Sequence, residues 1–165
     1  MGGNGRLFRR GNNKRKMDFL QREVAMSTRT IIEDAYKAYR EGRAQDAFIN
    51  CAQDFKFHWA AQPGQTRWSA VGVDLQAMFA KFSELAQTYD YLAYDVKTLV
   101  ADGDHAAAEV QVCLRHKKTG TMIEMTVADF WTIRDGEITS LTEYFDTAMI
   151  LAIDGGATVD AGEAG

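Results

Sequence analysis

The sequence predicts an α+β fold in which helices from the N-terminal half pack on one face of a curved, mostly antiparallel sheet. Three observations carry this expectation. Helical periodicity is confined to the first half of the chain, in "STRTIIEDAYKAYREG" and "VDLQAMFAKFSELAQTY". Beyond Tyr89 the pattern turns to alternation rich in β-branched and aromatic residues. The turns "DGD", "KTG" and Asp135-Gly136 then divide that half into four strands.

Taken in order, the first helix is capped by Ser27 or Thr28 and ended by Gly42, with Ile31, Ile32, Ala35 and Tyr39 at helical spacing. "RAQDAFINCA" reads as a short second helix. "DFKFHWA" alternates, with Phe55, Phe57 and Trp59 on one face and Lys56 and His58 on the other, so it reads as a strand. "AQPGQTRWSAVG" reads as a loop, with Trp68 as either a lid over a pocket or a staple that holds the loop down. The third helix carries Leu75, Met78, Phe79, Phe82, Leu85 and Ala86 on one stripe. Four strands follow: "YLAYDVKTLVA", "HAAAEVQVCLRHK", "MIEMTVADFWTIR" and "EITSLTEYFD". The order is ααβαββββ, with "TAMILAI" open between a last short helix and an extension. One domain is expected over residues 26–153, between a basic, disordered tail (1–25) and a flexible, acidic one (154–165).

Composition narrows the function classes. The chain of 165 residues has a net charge of −4. Its first 25 residues hold seven Lys/Arg against two Asp/Glu, a charge of +5, so the remainder carries −9. An acidic domain gains nothing from approaching phosphate, which argues against nucleic acid as its partner. For the basic tail, a nucleic-acid arm, a transit peptide and residues upstream of a start at Met17 or Met26 stand beside the simpler reading of a vestigial segment. No apolar run approaches the roughly 20 residues of a membrane helix, and a cytoplasmic location is expected. Cys51 and Cys113 read as buried reduced thiols, with a disulfide as the alternative. No Cys/His spacing suits zinc, and neither metal nor cofactor is expected.

The stretch "ADFWTIRDGEITSLTEYFD" carries one acid on each arm of a hairpin, Asp129 and Glu143. A two-residue turn at Asp135-Gly136 sets Asp129 opposite Thr142 and leaves Glu143 behind the sheet. A three-residue loop, Arg134-Asp135-Gly136 with Gly136 as a bulge, sets Val127 opposite Glu143 and makes the two acids diagonal neighbours. The face of Met125, Val127, Asp129, Trp131 and Ile133 is the apolar one, and only the three-residue loop adds Leu141 and Phe145 to it. The three-residue loop is therefore expected. Two carboxyls on an apolar wall do not both ionise cheaply, so one should act as an acid and the other as a base. The alternative is that each bonds a nearby Tyr or Trp and only shapes the cavity.

This order of elements, closed by the hairpin F-W-x-I-x-D-G-E-I-x-x-L-x-E-Y-F-D, resembles the nuclear transport factor 2-like superfamily. Within it, the SnoaL-like and ketosteroid-isomerase-like branch is the nearest, over about residues 28–152. The resemblance implies a cone-shaped roll with a deep apolar pocket and a homodimer formed through the outer sheet face. It implies small-molecule chemistry, since members include steroid isomerases, polyketide cyclases, epoxide hydrolases, dehydratases and binding proteins. Asp129 falls where the isomerases place a protonated aspartate and the cyclases a histidine. Glu143 falls where the cyclases and the limonene-epoxide-hydrolase-like members place a catalytic aspartate. Other positions depart from the family. The isomerase base falls near Trp59, its oxyanion tyrosine near Ala35 with Tyr36 and Tyr39 as neighbours, and the epoxide-hydrolase Arg and Asp at Val110 and Val112.

The expected pocket is lined by Phe57, Trp59, Val110, Val112, Val127, Trp131, Leu141 and Phe145, with Met78 and Phe82 from the long helix. Such a wall suits an apolar or cyclic small molecule. If the protein is an enzyme, Asp129 and Glu143 are its proton-transfer pair. The competing reading is a non-catalytic ligand-binding or dimerisation module. His58, on the other strand face, is expected to meet a partner subunit or a nearby polar group, with a role in the site as the alternative; Tyr36, Tyr39 and Trp68 are further candidates for the pocket.

Overall fold

The computed structural model describes residues 26–154; the expectations for the two tails lie outside the described residues. Ten elements follow one another: α1 (Thr28–Arg40), α2 (Ala44–Ala47), β1 (Cys51–Trp59), β2 (Ala70–Val73), α3 (Leu75–Thr88), β3 (Tyr89–Asp102), β4 (His105–His116), β5 (Met122–Arg134), β6 (Glu137–Tyr144) and α4 (Thr147–Asp154). The six strands form one sheet in the order β2-β1-β6-β5-β4-β3. Only the β1–β6 pair is parallel. The α+β cone is therefore present, with two additions to the expected order. The presumed loop before α3 contains the edge strand β2, and "TAMILAI" belongs to a helix. The second helix is also shorter than expected, because Cys51 already begins β1.

Local chemistry explains the elements. Ser27 caps α1 by accepting from the Thr30 amide at 3.1 Å, and Asp74 caps α3 by accepting from the Ala77 amide at 2.8 Å. α1 buries Ile31, Ile32, Ala35, Tyr36 and Ala38 against the sheet. β2, a short edge strand, is held by His58, whose Nδ1 accepts from the Gly72 amide at 3.1 Å. His58 thus serves its own sheet edge, the nearby polar partner that its strand face implied.

The hairpin that bears both acids corrects the expected turn. Arg134 pairs with Glu137, so the turn has two residues, and both Asp135 (φ 54°) and Gly136 (φ 83°) lie in the left-handed region. Such a turn matches the twist of the strands, and Asp-Gly is a favoured pair for it. The extra residue sits further along. Ile133 pairs with Ile138 but Thr132 pairs with Ser140, which leaves Thr139 as a bulge. Its hydroxyl donates to the Thr132 carbonyl at 3.1 Å. The physical reason is that Ile138 and Leu141 are both buried, at 1% and 3% exposure. They are three residues apart, and a regular strand would send them to opposite faces. Beyond the bulge Asp129 pairs directly with Glu143, not with Leu141. The two acids do share a face, as directly opposed rather than diagonal partners.

Gly136→Val should cost about 1–2 kcal/mol, since a β-branched residue resists the left-handed region. Urea unfolding followed by circular dichroism would show this as a lower midpoint with an unchanged slope.

Candidate functional site

Four strands bring the site together in one row. Trp59 of β1 is in register with Glu143 of β6, which is in register with Asp129 of β5, which faces Ala108 of β4. Ala106 lies beside Trp131 in the next inward row. These small residues leave space over the sheet, and α1 lowers Tyr36 into it.

Asp129 is 1% exposed. Its Oδ2 accepts from the Tyr36 hydroxyl at 2.6 Å and, at a long 3.5 Å, from that of Tyr94. The Tyr36 oxygen in turn accepts from Trp131 Nε1 at 3.0 Å. Oδ1 of Asp129 is buried without a partner among the described residues. Across the strand pair, Trp59 Nε1 donates to Glu143 Oε1 at 2.8 Å. Glu143 keeps some accessible surface, and it lines the interior chamber.

That chamber is bounded by Tyr36, Tyr39, Trp59, Trp68, Phe82, Tyr91, Tyr94, Val112, Val127, Trp131, Leu141 and Glu143, among others. Its volume is about 40 Å³, on a scale where about 10–15 Å³ accommodates one water. The aromatics therefore fill most of the cone. Six of the expected wall residues take their places: Trp59, Phe82, Val112, Val127, Trp131 and Leu141. Four do not. Phe57, Met78 and Val110 are fully buried in the core behind the wall, and Phe145 packs on Trp68 with ring centroids 5.7 Å apart. Alternation assigns a face but not a depth, so core and wall residues read alike. Trp68 is both staple and wall. It is 3% exposed and stands 5.8 Å from Trp59 and 5.5 Å from Tyr89, ring to ring.

Asp129 is not on the chamber wall either; it stands behind Tyr36, and Glu143 is the carboxyl that meets the space. Tyr91 and Tyr94 of β3 are wall residues that the sequence reading missed. A bulge at Leu92 turns both inward, and their three-residue spacing, the same as that of Ile138 and Leu141, was the available signal.

The electrostatics follow from burial. Desolvation pushes the Glu143 carboxyl up to about 8; the neighbouring Asp129 adds to the rise, and the Trp59 bond opposes it. Desolvation also raises Asp129, but only to about 6, because the Tyr36 and Tyr94 hydroxyls favour its charged form. The balance of these effects favours the charge on Asp129 and the proton on Glu143. Burial and the adjacent acids hold Tyr36 and Tyr94 far above the ordinary tyrosine value, so both stay neutral. Burial likewise pushes the Cys51 thiol up to about 12, which leaves it unreactive at neutral pH. Both cysteines are free. Among the described residues no His/Cys/Asp/Glu group is arranged to hold a metal ion, and no helix is long and apolar enough to cross a membrane.

Comparison with known proteins places this geometry in context. The family model of the SnoaL-like domain matches residues 32–141. Among solved structures, an NTF2-like protein of Burkholderia thailandensis superposes with a TM-score of 0.69 at 18% identity, covering 78% of this chain and 96% of that one. A protein of Mesorhizobium loti, provisionally assigned as a SnoaL-like polyketide cyclase, gives 0.59 at 20% identity over 72% and 99% of the two chains. IdmH of Streptomyces antibioticus, provisionally assigned as a polyketide cyclase, gives 0.64 at 21% over 79% and 99%. At these identities the likeness is one of fold. A search of curated proteins finds no match.

A carboxyl whose proton affinity is raised by folding contributes stability below its unfolded value and loses it as the pH rises through the folded one. For Glu143 that window runs from its ordinary value of 4.5 to about 8. The melting temperature should therefore fall between pH 5 and 8.5. Glu143→Gln, which can still accept from Trp59, should flatten the fall and be more stable at pH 8.5 by about 2–4 kcal/mol. An unchanged slope in the variant would show that Glu143 does not titrate in this window.

Proposed function

Because the chain belongs to the SnoaL-like family, we propose that it binds an apolar cyclic small molecule in the chamber and moves a proton on it without a cofactor. The observation that carries this is the chain Trp131–Tyr36–Asp129 lying opposite Glu143. In the working state Asp129 is ionised and Glu143 protonated. Glu143 then donates its proton as a hydrogen bond to a carbonyl oxygen of the ligand. The Tyr36 oxygen, with one lone pair still unused, takes a proton from the carbon beside that carbonyl as its own proton passes to Asp129 Oδ2 over 2.6 Å. The carbon–hydrogen bond pair moves into the enolate, and the Glu143 hydrogen bond stabilises the oxygen on which charge develops. Reversal at another atom completes an isomerisation; attack of the enolate on a second carbonyl of the same molecule forms the ring and an alkoxide, which takes the proton back from Asp129 through Tyr36 to complete a cyclisation. Asp129, which does not meet the chamber, is the proton sink behind Tyr36.

The fold neighbours assigned as polyketide cyclases support a ligand of this class. The second reading, a binding module without turnover, is favoured by the small chamber and by the hydrogen bond that each acid already accepts from an aromatic donor. A homodimer through the outer sheet face belongs to the same proposal. Phe130 and Tyr144 are each 51% exposed on that face, and their rings meet edge to face at 5.6 Å.

A thermal-shift screen of aryl ketones and quinones would find a ligand or substrate. For any substrate so found, kcat/KM should be bell-shaped in pH with limbs near 6 and 8, the values of Asp129 and Glu143. Tyr36→Phe and Glu143→Gln should each reduce it by about 10²-fold or more. Full turnover in both variants would remove Tyr36 and Glu143 from the chemistry, and a ligand that wild type binds without turning over would leave the binding reading.

A further inference from the structure

Outside the chamber lies a second, much larger cavity, open to solvent, of about 1040 Å³. It runs between the corner after α1, the exposed side of α3 and the start of β3, with Arg40, Phe79, Ser83, Ala86, Leu92 and Asp95 among its lining. Four side chains belong to both spaces: Tyr39, Phe82, Tyr91 and Tyr94. Their rings touch one another around Tyr39, at 4.8 Å to Tyr94, 6.4 Å to Phe82 and 6.5 Å to Tyr91. The two cavities thus adjoin across an aromatic collar. The collar exists because the Leu92 bulge turns Tyr91 and Tyr94 the same way.

The sizes of the two spaces constrain what fits. The inner chamber, at about 40 Å³, has room for the reacting end of a ligand and little more. We propose that the protein takes an elongated ligand in two compartments: its carbonyl end passes the collar to Glu143, and an apolar extension lies in the outer cavity. This rests on the proposed ligand site in the chamber and adds its substrate class, an extended molecule with a small reactive head. The outer cavity recognises the extension by apolar contact with Phe79, Ala86 and Leu92. Arg40 and Asp95, both exposed, leave its rim suited to a polar far end.

The three tryptophans of the protein, Trp59, Trp68 and Trp131, all line the chamber, so tryptophan emission, excited selectively over tyrosine, reads the inner compartment. Two probes share one head: acetophenone, and 4′-hexylacetophenone with a tail on the far side of the ring. Wild type should bind the hexyl compound at least tenfold more tightly, by quenching titration. Ser83→Leu and Ala86→Phe, which narrow the outer cavity from the exposed side of α3, should reduce that ratio to about twofold or less and leave acetophenone binding unchanged. Tyr91→Ala should open the collar and at least double the quenching of the tryptophans by acrylamide. Binding of both ketones with a ratio unmoved by the two α3 substitutions overturns the two-compartment proposal alone, as does unchanged acrylamide quenching in Tyr91→Ala. Failure of both ketones to bind wild type at all overturns the ligand reading of the chamber and this proposal with it.

Discussion

A carboxyl buried to 1% exposure must find donors inside the protein or lose its charge. For Asp129 the principal donor is Tyr36, which arrives from a different element. That one hydrogen bond ties α1 to β5. It requires a cap at Ser27 to start the helix in register, alanines at 106 and 108 to make room, and Trp131 to hold the tyrosine oxygen from the other side. Removing Tyr36 would leave a charge in the core with only the long contact to Tyr94. The same bond keeps Asp129 more acidic than Glu143, although Asp129 has the less exposed surface of the two.

Glu143 has the opposite balance. It receives a single indole N–H and faces a space walled by aromatics, with Asp129 across the strand pair. Its proton is therefore the harder one to remove. Two acids of similar intrinsic strength are separated by their surroundings rather than by their identity. The surroundings thus favour the proton on the acid at the wall and the charge on the one behind it.

Much of this was legible in the residues. Alternation of Phe55, Phe57 and Trp59, the stripe on α1 and the apolar face around Asp129 led directly to the α+β cone and to two acids on one face. Other features were not legible, for specific reasons. β2 is four residues at an edge, held by His58 rather than by a pattern of its own. Phe57, Met78 and Val110 share a face with true wall residues, and only packing shows that they lie deeper. Tyr91 and Tyr94 were hidden by a bulge that breaks the alternation on which strand reading depends. Asp129 could be placed on the inward face, but its screening by Tyr36 depends on a helix 93 residues earlier in the chain.

The bulge at Thr139 has a consequence for how such a hairpin can vary. Whether two residues on neighbouring strands share a face is a question of parity: at a given separation, the number of extra residues in turn and strand decides it, and their position does not. Fourteen steps separate Asp129 from Glu143, and either a longer turn or an insertion in the strand preserves their common face. What the location changes is reach, directly opposed in one case and offset in the other. An extra residue can therefore migrate between turn and strand while the pair survives. Deleting Thr139 itself would leave a regular hairpin with the two acids still opposed, whereas deleting a regularly paired residue while the bulge stays would turn one of them to the other face.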